Sequence, residues 1–210
     1  MTLRRLAAPS IALALTATLA ACGGSDDDTS SDTIAPAATA PAAQATPPAG
    51  SAAAGAMNDA DVTFSQGMIG HHEQAIEMAE IALDPNVGAS AEVVDLATRI
   101  RDAQGPEVET LTAWLTAAGQ PVQMDMSGGH DMSSMEGMMT AEQMDALGTK
   151  TGDEFNSAWL EMMIAHHEGA IAQSQTVKAN GSHPDVLALA DQIIAAQQAE
   201  ITEMQALLQG

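Results

Sequence analysis

The chain is 210 residues long, with 28 acidic against 6 basic side chains, 2% aromatic residues, one cysteine and no tyrosine. A formal charge of −22 excludes a partner held through nucleic-acid phosphates, and a lone cysteine excludes an intrachain disulfide. Alanine, leucine, methionine and glutamine dominate where strand formers would have to appear, so the class read from composition is all-α.

Residues 1–21 read as a lipoprotein signal peptide. Arg4 and Arg5 make a short basic start, and "IALALTATLA" is apolar but too short to span a bilayer. "LAAC", Leu19 to Cys22, resembles the bacterial lipobox, in which the chain is cut before a cysteine that then carries lipid. The competing reading is an ordinary secretory signal with a stray cysteine. Small residues before Cys22 and a Gly/Ser/Asp-rich spacer after it favour the anchor. The arginine pair lacks most of a twin-arginine motif, so Sec export is expected, to the extracytoplasmic face of a bacterial membrane. Contact with that membrane would run through the lipid alone.

Residues 22–56 are the lipidated cysteine and a tether of Gly, Ser, Asp, Ala, Thr and Pro with almost nothing to bury. Beyond Cys22 the chain holds 4 basic against 28 acidic side chains, a formal charge of −24, read mainly as a solvated surface. Residues 57–210 are long enough for one domain with a core. Helices are expected at about 60–83, 90–118, 153–179 and 184–208, with stops at "DPNVG", Gly119/Pro121 and Asn180/Gly181. Pro184 suits a first helical turn, and Ser182 with Asp185 offers a capping box. Gly105 and Pro106 predict a kink or break in the second helix.

An internal repeat organises this stretch. "MIGHHEQAI" at 68–76 returns as "MIAHHEGAI" at 163–171, an offset of 95, which also sets Phe64 on Trp159. "LATRIRDAQGPEVETL" (96–111) aligns with "LADQIIAAQQAEITEM" (189–204) at an offset of 93. The pattern implies a duplicated helical hairpin, with repeats at about 57–118 and 153–210 packed as a four-helix bundle and the two motif helices facing each other. The connection, 119–152, carries Met124, Met126, Met132, Met135, Met138, Met139 and Met144 together with His130, half of the chain's 14 methionines.

On a helix, Met68, His71, His72 and Ala75 share the core-facing stripe, as do Met163, His166, His167 and Ala170. A lone buried histidine is ordinarily just hydrogen-bonded, but four placed by a repeat on two facing helices suggest a ligand set. A di-iron bundle uses Glu-x-x-His, whereas here methionine stands three residues before His71 and His166. Thioether with imidazole suits Cu(I), with Ag(I) as a mimic; imidazole alone also takes Cu(II) or Zn. Outside the cytoplasm thiols oxidise, which leaves methionine as the practical soft ligand. Met68 and Met163 also fit as adaptable core fillers. Met124, Met126, His130, Met132 and Met135 sit among Gly, Ser and Asp and are read as further metal ligands on a flexible strand, while Met138, Met139 and Met144 fit a packed lid or a short helix at 141–147. Glu73 and Glu168 are read as surface residues, with orientation of an imidazole as their alternative role. His183 is read as a helix-start residue.

The paired M-I-x-H-H-E-x-A-I segments, "AQQAEITEM" at 196–204 and the lipoprotein start together resemble the bacterial family known as domain of unknown function 305. That resemblance implies a ferritin-like fold and, through the family's CopM-type members, extracytoplasmic copper binding carried by Met68, His71, His72, Met163, His166 and His167. The leading reading is a lipid-anchored protein that sequesters copper or hands it to a transfer partner, without catalysis. A ferritin-like metal-dependent oxidoreductase and a metal-free structural bundle are the alternatives. Gly105 and Pro106 depart from the pattern of the second repeat and put the geometry of the first hairpin in doubt.

Overall fold

The computed structural model describes residues 55–124 and 135–210. These hold five helices and no strand: α1 (Asp59–Leu83), α2 (Ala91–Ala117), α3 (Ala141–Gly148), α4 (Gly152–Asn180) and α5 (Pro184–Leu207). Cys22 and the tether up to residue 54, with Met126, His130 and Met132, lie outside the described residues. Among those described, no helix is long and apolar enough to cross a membrane.

Side-chain caps start three of the five helices. The Asn58 side chain accepts from the Asp61 N–H while Asp61 accepts from the Asn58 N–H, a reciprocal box that satisfies two orphan donors of α1. Thr140 and Gln143 do the same for α3, and Ser90 caps α2. The box expected from Ser182 and Asp185 does not form: His183 is the N-cap of α5 and makes no side-chain cap bond. Ser182 is drawn away instead, its N–H and hydroxyl both donating to Asp61.

The break expected at Gly105/Pro106 is also absent, since α2 runs unbroken through Pro106. Proline removes the N–H that would bond the carbonyl four residues back, but Pro106 and Asp102 are both exposed, so that carbonyl has water.

Helix α1 packs on α2, α4 on α5, and the two hairpins meet through α1 and α4. Each first helix also braces the other hairpin's turn. Fully buried Asp61 of α1 accepts from the N–H groups of Ser182 and His183 ahead of α5. Asn156 of α4, 95 positions after Asp61, accepts from the N–H of Ser90 ahead of α2. These bonds satisfy backbone donors at α2 and α5 that would otherwise be orphaned, and fix α1 against α4.

A candidate metal centre between two apolar clusters

The core is two apolar clusters stacked along the helices. One contains Ala75, Met78, Leu96, Ile100, Trp159 and Met163; the other contains Phe64, Met68, Leu111, Ala170, Leu189 and Ile193. Between them in chain position on all four long helices lie polar side chains: His71 and His72 on α1, Gln104 on α2, His166 and His167 on α4, and Gln197 on α5. All four imidazoles are 0% exposed, and the two glutamines 3%.

The rings of His71 and His166 lie 3.8 Å apart, centroid to centroid, inclined at 46°. Neither nitrogen of either ring has a hydrogen-bond partner. His72 and His167 are held differently. Nε2 of His72 lies 2.7 Å from Glu107 Oε2 and Nε2 of His167 lies 2.8 Å from Glu200 Oε2. A carboxylate can only accept, so each ring donates through Nε2, and in the neutral tautomer the unpartnered Nδ1 carries the lone pair.

Burial holds the pKa of His71 down, from 6.5 to about 3, assisted by neighbouring His72 and His167, while the Glu136 backbone carbonyl opposes the shift. His166 is lowered well below 6.5, first by burial and then by His71, His167 and His72. At neutral pH both are uncharged and present lone pairs, the state a metal needs.

The structure brings His71 against His166, with His72 and His167 next to them on the same helices; Met68 and Met163 are also 0% exposed and belong to the second and the first cluster respectively. Among the described residues no three His, Cys, Asp or Glu side chains form a ready ligand cluster. A cation at the His71–His166 pair would therefore draw further donors from thioethers or from side-chain rearrangement. Met124 and Met135, from the two ends of the connection, meet over α1 at Gly67: their methyl carbons lie 3.6 and 2.8 Å from where a β-carbon of Gly67 would stand. Met139 and Met144 are buried and belong to the first cluster, as core fillers. Met126, His130 and Met132 lie outside the described residues.

Glu73 and Glu168 are exposed. The imidazoles are oriented instead by Glu107 and Glu200, from the partner helix of each hairpin. Sequence reasoning passed over these two and Gln104 and Gln197, although the 93-residue offset sets Gln104 on Gln197 and Glu107 on Glu200. That coincidence was the available signal.

The chain matches the family Domain of unknown function (DUF305) over residues 61–208 and belongs to it. A DUF305 fragment from Deinococcus radiodurans superposes with a TM-score of 0.65 at 30% identity, covering 73% of this chain and 98% of the other. A family member from Streptomyces coelicolor, described as secreted, gives 0.64 at 28% identity, covering 71% and 91%. CopM in its Cu(II)-bound form gives 0.60 at 33% identity, covering 71% and 95%, and CopM is also known in Cu(I)-bound, Ag-bound and apo forms. No curated protein sequence matches.

Proposed function

We propose that the chain is a copper-binding protein of the bacterial cell envelope, sequestering Cu(I) or delivering it to a transfer partner, with Ag(I) as a mimic and Cu(II) as a second state. The carrying observation is the buried imidazole layer: both nitrogens of His71 and His166 and Nδ1 of His72 and His167 lack partners. Leaving a buried polar group unsatisfied costs about 1–3 kcal/mol, and a bound metal would offset that cost. Met68 and Met163 supply soft donors one helical turn before His71 and His166, which matches Cu(I). CopM, bound to copper and silver in its own structures, supports the choice of metal.

The proposal extends to the rest of the chain. Residues 57–210 form a ferritin-like four-helix bundle derived from a duplicated hairpin. Met124, Met126, His130, Met132 and Met135 of the connection add soft-metal capacity. Residues 1–21 are a signal peptide, and Cys22 carries the lipid that fixes the tethered domain to the outer face of the cytoplasmic membrane.

The test is a titration of untagged apo-protein with Cu(I) against a competing chelator, with X-ray absorption of the loaded protein. A tight site with mixed nitrogen and sulfur ligands, lost in His71→Ala with His166→Ala, is expected. Retention of that site in the double variant would overturn the assignment.

A further inference from the structure

Residues 135–139 cross both motif helices at Gln74 and Gly169, each three residues after His71 and His166 respectively. On α4 the crossing is backbone to backbone. A β-carbon on Gly169 would overlap the Glu136 carbonyl and stand 2.8 Å from the Gly137 Cα; one on Gly137, itself at φ +83°, would stand 3.0 Å from the His166 carbonyl oxygen. Only glycine at both positions permits this approach. On α1 the crossing is a clamp: the Gln74 side-chain amide donates to the Met139 carbonyl at 2.9 Å and accepts from the Met139 N–H at 2.7 Å. Gln74 and Gly169 are the same position of the repeated motif, 95 residues apart. One copy there grips the segment; the other makes room for it.

We infer that residues 135–139 are a strap governing access to the His71–His166 pair, latched by Gln74 and seated on Gly169. The strap crosses α4 against the His166 carbonyl and α1 at Gln74, beside two imidazoles that are 0% exposed and lack hydrogen-bond partners among the described residues. It also carries Met135 to Gly67, beside Met124, so lifting the strap moves a thioether away from the turn that precedes His71. The latch is two exchangeable hydrogen bonds at a half-buried glutamine, a low-stability contact that can open without unfolding the helices. That copper is what passes rests on the proposed function; the opening of the strap does not.

Two variants of the full chain test it. Gly169→Ala crowds the seat, and Gln74→Ala removes the latch without crowding anything. In the apo-protein, diethyl pyrocarbonate modification of His71 and His166, read by peptide mass spectrometry, is expected to quicken by about 10-fold in each, with far-UV circular dichroism unchanged. Transfer of bound Cu(I) to bathocuproine disulfonate should quicken by a similar factor. If Gly169→Ala fails to fold, Gln74→Ala carries the test alone. Wild-type histidine reactivity in a folded Gln74→Ala protein would overturn the strap, whatever the copper affinity. Faster modification in a protein that binds no Cu(I) would sustain the strap and overturn the metal reading instead.

Discussion

Glu107→Ala isolates the effect of one carboxylate on one buried imidazole. His72 is fully buried, its Nδ1 lacks a partner, and among the described residues Glu107 supplies the only hydrogen bond its ring makes. Deleting the carboxylate leaves both nitrogens orphaned, at about 1–3 kcal/mol. For a domain of this size that lowers Tm by about 2–12 °C. Glu107→Gln keeps an acceptor at the same reach, so it should restore most of that loss. What glutamine cannot restore is the negative charge that raises the basicity of the imidazole. Metal affinity should therefore fall by about 10-fold in Glu107→Gln while Tm stays near wild type. Thermal unfolding of apo-protein by circular dichroism and competition titration with Cu(I) separate the two effects, and Glu200→Ala and Glu200→Gln should repeat the pattern at His167. Equal Tm values for the alanine variant and wild type would refute the reasoning on stability. Equal copper affinities for the glutamine variant and wild type would refute the positioning role.

Stability of the apo-protein should depend on acid in a defined window. Folded His71 titrates near 3, and His166 is held well below 6.5, whereas both protonate near 6.5 once unfolded; stability is therefore full above about pH 6.5 and declines as pH falls below it, for His71 by about 1.4 kcal/mol per pH unit down to about pH 3, with His166 adding in the same direction. Urea midpoints at pH 7, 5.5 and 4.5 measure this, and a slope identical in His71→Ala with His166→Ala would remove the cause. Met68→Leu with Met163→Leu conserves volume and should cost less than about 1.5 kcal/mol for each residue, yet lower Cu(I) affinity by at least about 10-fold; unchanged affinity would make both methionines core fillers. Leucine at Met124, Met126, Met132 and Met135 should reduce the number of Cu(I) ions bound while sparing the tightest, as read by chelator competition. Cys22→Ser should release the protein from membranes with its copper content unchanged, and membrane retention on fractionation would count against the anchor.

Helical class, the four long helices and the burial of the histidine pairs were legible because each rests on local signals: 3.6-residue periodicity, cap residues and a motif repeated with its histidines in place. The facing of α1 and α4 followed from the repeat, and the 3.8 Å approach of His71 to His166 agrees with it. The failures share a cause, which is that tertiary partners override local preference. Ser182 looked like half of a capping box, but buried Asp61, 121 residues away, takes both of its donors. Of the kink or break expected at Gly105/Pro106, the break does not occur, because the Asp102 carbonyl that loses its N–H partner lies on the exposed face. Glu73 and Glu168 adjoin the histidines in sequence and point away from them on the helix, whereas Glu107 and Glu200 are remote in sequence and adjacent in space.

Several positions where the two repeats agree or disagree sort by what they touch. Met68/Met163, His71/His166 and His72/His167 are identical and fully buried in the layer or its borders, and the equivalent Glu107 and Glu200 bond it. Gln74/Gly169 and Asp61/Asn156 differ, and each difference meets something outside the layer: the strap in the first case, a hairpin turn in the second. Two equal copies would present the same side chain at both ends of the crossing. The connection meets the two copies with different parts of its backbone, so the copies differ where it lands. A glutamine that can hydrogen-bond a backbone and a glycine that can lie against one are complementary solutions to that single crossing. The strap therefore accounts for a difference that neither helix propensity nor core packing explains, since alanine at either position would serve α1 and α4 better as helices.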